Sequence, residues 1–302
     1  MKILITGGTN GMGKGVAKTL AGFDNPKNEI IILCRSEKLG KETIEEFERE
    51  TSNNKISLVL CDLTKLGDVK RAIEEIQSKH KFLDGIFINA GIGYASKRIE
   101  TEDGMDSHFQ VNYLSQFMLT LNLLNLLEKS EKGGRVIFNV TTVKEDLIWD
   151  DIQMINSWGY EKGIHQAMVA KRMFLNKLNE LHREQKDSKL SFVGFEISET
   201  VWSNQLNIIS LFMKTVATLM KWMGQFISIE RCGEIIAPLF TEKQQESLKK
   251  SGKIVTWKKG SFIEVKEKKN VLTKTLQDKL WEISIELCKD EKTSKIAEYL
   301  CN

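Results

Sequence analysis

MKILITGGTNGMGKGVAKTLAGF, residues 1–23, opens with an apolar run, breaks at glycines spaced GxxxGxG (Gly7, Gly11, Gly13) and resumes as a helix-period stretch. A run such as ILIT suits a strand buried on both faces. Glycine lets the chain turn tightly, brings backbone N–H groups close to a bound group and allows the helix start to pack on the strand. The first amides of a helix lack intrahelical partners and favour negative charge, so a diphosphate is the expected occupant. A glycine-rich turn alone says little, because turns of many folds use the same residues. Its place between a first strand and a first helix is what gives it meaning. Thr9, Asn10 and Met12 complete the loop's candidate binding set with the three glycines.

Further strands follow at Ile30–Leu33, Ile56–Leu60, Gly85–Asn89 and Arg135–Val140. Between them, KLGKETIEEFERE and DVKRAIEEIQSKH repeat apolar residues every three or four positions, as amphipathic helices do. Strand and helix alternating in units of some thirty residues specify right-handed crossovers, hence an α/β fold with a doubly wound parallel sheet. With only Pro26 and Pro238, and no linker or repeat, residues 1–302 read as one domain. An apolar, amphipathic insertion over 203–230, most pronounced in NIISLFMKTVATLMKWMGQFISI at 207–229, carries Lys214 and Lys221. Two lysines in a stretch barely long enough to span argue against a membrane crossing. A flap over a substrate pocket and contact with a bilayer surface or partner protein both remain open for it.

The chain has 302 residues, 41% hydrophobic and 28% charged, enough apolar material for one sizeable core. A net charge of +3 from 44 basic and 41 acidic residues gives no field to gather nucleic acid. Cys34, Cys61, Cys232, Cys288 and Cys301 are odd in number and form no CxxC pair, which argues against a disulfide framework and a zinc site. An intracellular, reducing compartment is expected, and no cleavable address precedes the first strand. Cytoplasm and organelle are not distinguished.

The second strand ends at Arg35, where a site selective for NAD would place an acid against the ribose hydroxyls. A guanidinium there suits a 2′-phosphate, so NADP(H) is expected over NAD(H); the alternative is a solvated surface arginine. After the third strand, CDLT puts Asp62 and Leu63 beside the expected adenine. Asp62 could accept from the adenine amino group, cap the following helix, or do both.

These residues resemble the short-chain dehydrogenase/reductase family, and within it the retinol-dehydrogenase-like branch. TGGTNGMGKG matches the family's phosphate loop, CRSEKLGKE its arginine-bearing second strand, and CDLT and the Asn89-Ala90-Gly91 triplet follow in order. VNYLSQFMLT aligns Asn112 with the family's structural and proton-relay asparagine. SIERCGEIIAPLF, SGKIVTW and LQDKLWEISIEL resemble its closing helix, last strand and terminal helix. The resemblance runs over nearly the whole chain and implies a Rossmann fold, a nicotinamide dinucleotide and hydride exchange with a carbonyl or alcohol. Asn89-Ala90-Gly91 could serve the cofactor or simply pack a strand tightly, and Asn112 could simply tie helix to sheet.

The family's chemistry uses a serine, a tyrosine and a lysine, the lysine helping to lower the phenol's pKa from about 10. In NVTTVKE, Thr142 falls at the serine position and keeps a hydroxyl; Thr141 and Thr142 could instead only satisfy backbone groups. In AMVAKRMFLNKLNELHRE, Lys171 matches the lysine, which also reaches the cofactor ribose in the family, but four residues earlier stands Ala167. Tyr160 and His165 are the candidate substitutes, although six residues before Lys171 is a different helix face. Ile197 and Ser198 replace the family's Pro-Gly after the sixth strand.

Two functions stay open: an NADP(H)-dependent oxidoreductase on a lipophilic carbonyl or alcohol, and a catalytically silent pseudoenzyme serving as a subunit of a larger, membrane-associated or soluble assembly. A nucleotide-sugar isomerase or dehydratase would be expected to carry GxxGxxG instead.

Overall fold

The computed structural model describes residues 1–23, 27–93, 95–143, 145–185, 188–197, 200–201 and 226–301. The expected insertion over 203–230 lies outside the described residues up to position 225.

The strands are β1 (Lys2–Thr6), β2 (Glu29–Cys34), β3 (Ile56–Leu60), β4 (Gly85–Ile88), β5 (Arg135–Val140), β6 (Ser191–Glu196), β9 (Ile254–Lys258) and β10 (Ser261–Val265). They form one sheet in the order β10-β9-β6-β5-β4-β1-β2-β3, parallel from β3 through β9. A two-residue pair, β7 (Thr200–Val201) and β8 (Phe226–Ile227), stands apart. Between β1 and β4 the connections change direction, the switch point at which open α/β sheets bind ligands beyond their carboxyl ends.

Alternation along each strand feeds two cores. Leu4, Ile31, Ile86 and Phe138 face one side, while Ile3, Ile5, Ile32, Phe87 and Ile137 face the other. The first side is covered by α3 (Leu66–Lys79), α5 (Ser115–Glu128) and α6 (Lys162–Arg183). The second is covered by α1 (Gly11–Ala21), Phe47 of α2 (Glu37–Thr51), α7 (Ile229–Ile236) and α8 (Pro238–Thr241). A single-turn α4 (Ser107–Phe109) and a wide π turn at Gln110–Leu114 lead into α5.

The C-terminal part holds more than the sequence patterns suggested. SGKIVTW is not the last strand: β10 pairs antiparallel with β9 through a turn with Lys259 and Gly260 at positive φ, 51° and 81°. Beyond α9 (Gln244–Lys250), the expected terminal helix is α10 (Lys274–Cys288), and α11 (Glu291–Cys301) follows it. Together α10 and α11 lie over α6 and α5, tied by Tyr113 Oη to Ser284 Oγ at 2.6 Å and by Asn122 Nδ2 donating to Thr293 Oγ1 at 2.8 Å. From Ser115 to Leu127 every residue of α5 except Asn125 is therefore buried, Gln116, Thr120 and Asn122 included.

Candidate active site

In a parallel sheet every residue that follows a strand emerges at the same edge. Gly7, Arg35, Asp62, Asn89, Thr142 and Ile197 thus meet along the carboxyl edge, although up to 190 positions separate them. Gly7 turns with φ +70° and donates its N–H to the Leu33 carbonyl at 2.8 Å. Gly11, at φ +54°, opens α1, and the exposed Asn10 side chain accepts its N–H at 2.8 Å. Thr9 is half-buried and Met12 buried beneath the loop. At Gly13 a Cβ would lie 2.3 Å from the Gly7 carbonyl oxygen and 2.5 Å from Asn89 Nδ2. Only hydrogen fits there, so the loop closes flat over the start of α1 and leaves its first-turn amides at the sheet edge.

Thr6 ties this loop to β4. Its Oγ1 donates to the Phe87 carbonyl at 3.1 Å and accepts the N–H groups of Asn89 (2.8 Å) and Ala90 (2.9 Å). Asn89 Nδ2 reaches back to the Thr6 carbonyl, and Asn139 Nδ2 donates to Asn89 Oδ1 at 3.2 Å. Gly91 follows close under Asn112, where a Cβ would be 2.9 Å from Asn112 Oδ1. Asn112 is buried in the π turn and binds the Ile92 backbone twice, accepting its N–H at 2.8 Å and donating to its carbonyl at 3.1 Å.

Arg35 is exposed at the end of β2, and no hydrogen bond or ion pair holds it among the described residues. Asp62 accepts the N–H and the hydroxyl of Thr64, at 3.0 and 2.8 Å, and caps no helix. The N-cap of α3 is Lys65, and Asp103 accepts the Leu66 N–H from across the loop at 2.8 Å. Leu63 is buried, and its carbonyl takes the Ser115 hydroxyl.

Lys171 and Arg172, consecutive on α6, grip the exit of β5. Lys171 Nζ donates to the Asn139 carbonyl at 3.3 Å and an Arg172 Nη to the Thr141 carbonyl at 2.8 Å. Lys171 is 2% exposed, and burial pushes its ammonium down to about 7. Arg172 is also paired with Glu196 at the end of β6 and with Glu267 beyond β10. Burial raises the Glu267 carboxyl above its usual range against the opposing pull of Arg172. Glu196 accepts the Thr142 hydroxyl at 2.8 Å.

The fold has counterparts among known proteins. The short chain dehydrogenase family model matches residues 1–146. Polyprenol dehydrogenase of Homo sapiens is 28% identical over 183 residues, 59% of this chain and 54% of that protein. An uncharacterised protein from Mycobacterium paratuberculosis superimposes with a TM-score of 0.66 at 18% identity, covering 96% of this chain and 94% of that one. L-Sorbose reductase from Gluconobacter frateurii, solved with NADPH and L-sorbose, gives a TM-score of 0.63 at 17% identity over 86% and 95% of the two chains. The family model over the amino-terminal 146 residues and these relatives support a member of the short-chain dehydrogenase/reductase family. It spans about half the length of the curated relatives it matches, and at such low identity the solved structures speak for the fold alone.

Set against the pattern of that family, the chain departs at the chemical end, beyond the residues the family model matches. Ala167 is fully buried one helical turn before Lys171, so no phenol stands there. Of the candidate substitutes, Tyr160 is 55% exposed ahead of α6, and His165 turns toward Glu145, its Nδ1 4.0 Å from Oε2. The helix starts at Lys162, earlier than the apolar pattern indicated, and this fixes His165 on a face away from Lys171. Ile197 follows β6 half-buried, and Ser198 lies outside the described residues.

Three charged residues at this site escaped the sequence reading. Arg172 adjoins a lysine already singled out, and Glu196 is a lone acid closing an apolar strand; both carried a local signal. Glu267 carried none, because it arrives from β10, a strand not anticipated. His108 was missed as well: fully buried, it meets Trp158 at a tilt with centroids 5.2 Å apart and bonds the Gly93 carbonyl through Nε2 at 2.7 Å.

Proposed function

We propose that this chain is an NADP(H)-dependent oxidoreductase of a lipophilic carbonyl or alcohol. The reading rests on the loop at Gly7, Gly11 and Gly13, where the room taken by a Cβ at Gly13 is already filled by the Gly7 carbonyl. That cradle fits a diphosphate on the first-turn amides of α1. Gly7, Thr9, Asn10, Gly11, Met12 and Gly13 would hold the diphosphate and Arg35 the 2′-phosphate. Asp62 and Leu63 would border the adenine, with Asn89, Ala90 and Gly91 beneath the adenosine and Lys171 on the nicotinamide ribose. When bound, the cofactor supplies or accepts a hydride. Thr142 would orient the substrate oxygen, and Asn112 would hold the chain beneath it. The name of the human relative, polyprenol dehydrogenase, supports a long apolar substrate.

Titration with NADPH and NADH, followed by nicotinamide fluorescence, tests this. NADPH is expected to bind more tightly, and Arg35→Ala to bring the two within about tenfold of each other. Absence of binding to either dinucleotide sinks the reading. Turnover on retinoid, steroid and polyprenol substrates then tests the activity.

The buried Ala167 favours a second reading, a silent subunit that keeps the cofactor. Loss of a positioned acid typically costs about 10²–10⁴-fold in rate. Dinucleotide binding with no turnover on any substrate would select it.

A further inference from the structure

The hydrogen bond between Thr142 and Glu196 has a direction that bears on the substrate. Glu196 pairs with Val140 in register at the end of β6, and its side chain is 11% exposed. One carboxylate oxygen faces the Arg172 guanidinium, itself clamped by Glu267 and the Thr141 carbonyl; the other accepts the Thr142 hydroxyl at 2.8 Å. A threonine owns one hydroxyl proton, and a carboxylate facing a permanently charged guanidinium offers acceptor sites. The Thr142 proton is therefore turned into the protein. Thr142 itself is exposed, so what Oγ1 presents outward is lone pairs. A hydroxyl can satisfy them and a carbonyl oxygen cannot.

We propose, resting on the dinucleotide-binding reading above, that the substrate is a lipophilic alcohol donating its hydroxyl to Thr142 Oγ1, with Glu196 the positioning residue that sets this polarity and takes the proton. In oxidation the alcohol O–H bond breaks and its proton passes to Oγ1, while the Oγ1 proton passes to Glu196. The carbinol C–H pair leaves as hydride to an oxidised nicotinamide dinucleotide, and C–O becomes C=O. The released proton rests on Glu196 before reaching solvent. No phenol is required at position 167.

The test compares binding of decan-2-ol and decan-2-one to the NADP⁺-loaded protein by calorimetry. The alcohol is expected to bind about tenfold more tightly, the scale of one hydrogen bond. Thr142→Ser should keep that preference and Thr142→Val should abolish it. Glu196→Gln, whose amide can donate to Oγ1 and free the hydroxyl proton, should shift preference toward the ketone. Alcohol oxidation should fall about 10²–10⁴-fold in the Val and Gln variants, with NADP⁺ affinity unchanged. Thr142→Val leaves the Arg172 cluster intact, so it decides the matter even if Glu196→Gln does not fold. Preference for the ketone in the unaltered protein, an undiminished alcohol preference in Thr142→Val, or bound NADP⁺ with no alcohol oxidised overturns the proposal alone. Failure to bind NADP⁺ overturns the underlying reading with it.

Discussion

At Gly13 one methyl group separates a closed phosphate loop from a broken one. Gly13→Ala would set a Cβ 2.3 Å from a backbone oxygen, a distance that only movement of the loop relieves. NADPH affinity is expected to fall by more than about tenfold while the helical circular dichroism is kept, because the clash lies at the sheet edge and outside the core. Lys171 makes a different kind of residue-level statement. Burial lowers its pKa from 10.5 to about 7, so between those values the unfolded chain binds the extra proton. In the dinucleotide-free protein this group therefore adds stability as pH rises from 7 toward 10, with a slope on the order of 1.4 kcal/mol per pH unit. Lys171→Met should flatten that slope and raise stability at pH 7 in urea unfolding; an unchanged slope would mean the ammonium is not desolvated.

Among the elements, α1 and α7 cross with almost no side chain between them. A Cβ at Gly15 would lie 1.9 Å from the Ile229 carbonyl oxygen, and one at Gly233 2.3 Å from the Gly15 carbonyl oxygen. Gly15→Ala is expected to destabilise the fold by about 1–3 kcal/mol, since neither backbone can yield without the other. Gly67, in the first turn of α3, meets nothing within 4 Å, and Gly67→Ala should be neutral or stabilising by up to about 1 kcal/mol. Thermal melts of the two variants separate helix propensity from helix crossing. Neither contact was legible in the sequence, because a glycine in a helix looks the same whatever packs on it.

The elements themselves were far more readable. Residues 56–60 and 135–140 are strands with the bounds their apolar runs indicate, although β3, at the sheet edge, buries only Val59 while β5 is buried almost throughout. β10 was not readable: SFIEV alternates, but its half-exposed residues give no apolar run, and it became a strand only by pairing with β9. At the site, the glycine loop and Lys171 were visible as local patterns. The Arg172, Glu196 and Glu267 cluster joins three distant segments through tertiary contact alone.

For the whole molecule, the last two helices decide what surface is shown. α5 is buried on nearly every side, and α10 and α11 close its outer face through Trp281, Thr293 and Ala297. Deleting residues 290–302 would uncover the part around Asn122 and Leu124. The shortened protein is expected to melt at lower temperature and to bind more 1-anilinonaphthalene-8-sulfonate; equal dye binding would show that α11 covers nothing the fold needs hidden.

The sheet's common carboxyl edge has one more consequence. Each group proposed to meet the ligand stands just past the end of its own strand or on a covering helix, while the apolar alternation that holds the fold lies within the strands. Exchanging a reactive side chain at that edge disturbs one loop and leaves both cores intact. An ancestor could shed its acid and recruit a carboxylate from a neighbouring strand by single substitutions, passing through folded intermediates at every stage, so that chemical inventory and architecture drift on separate clocks.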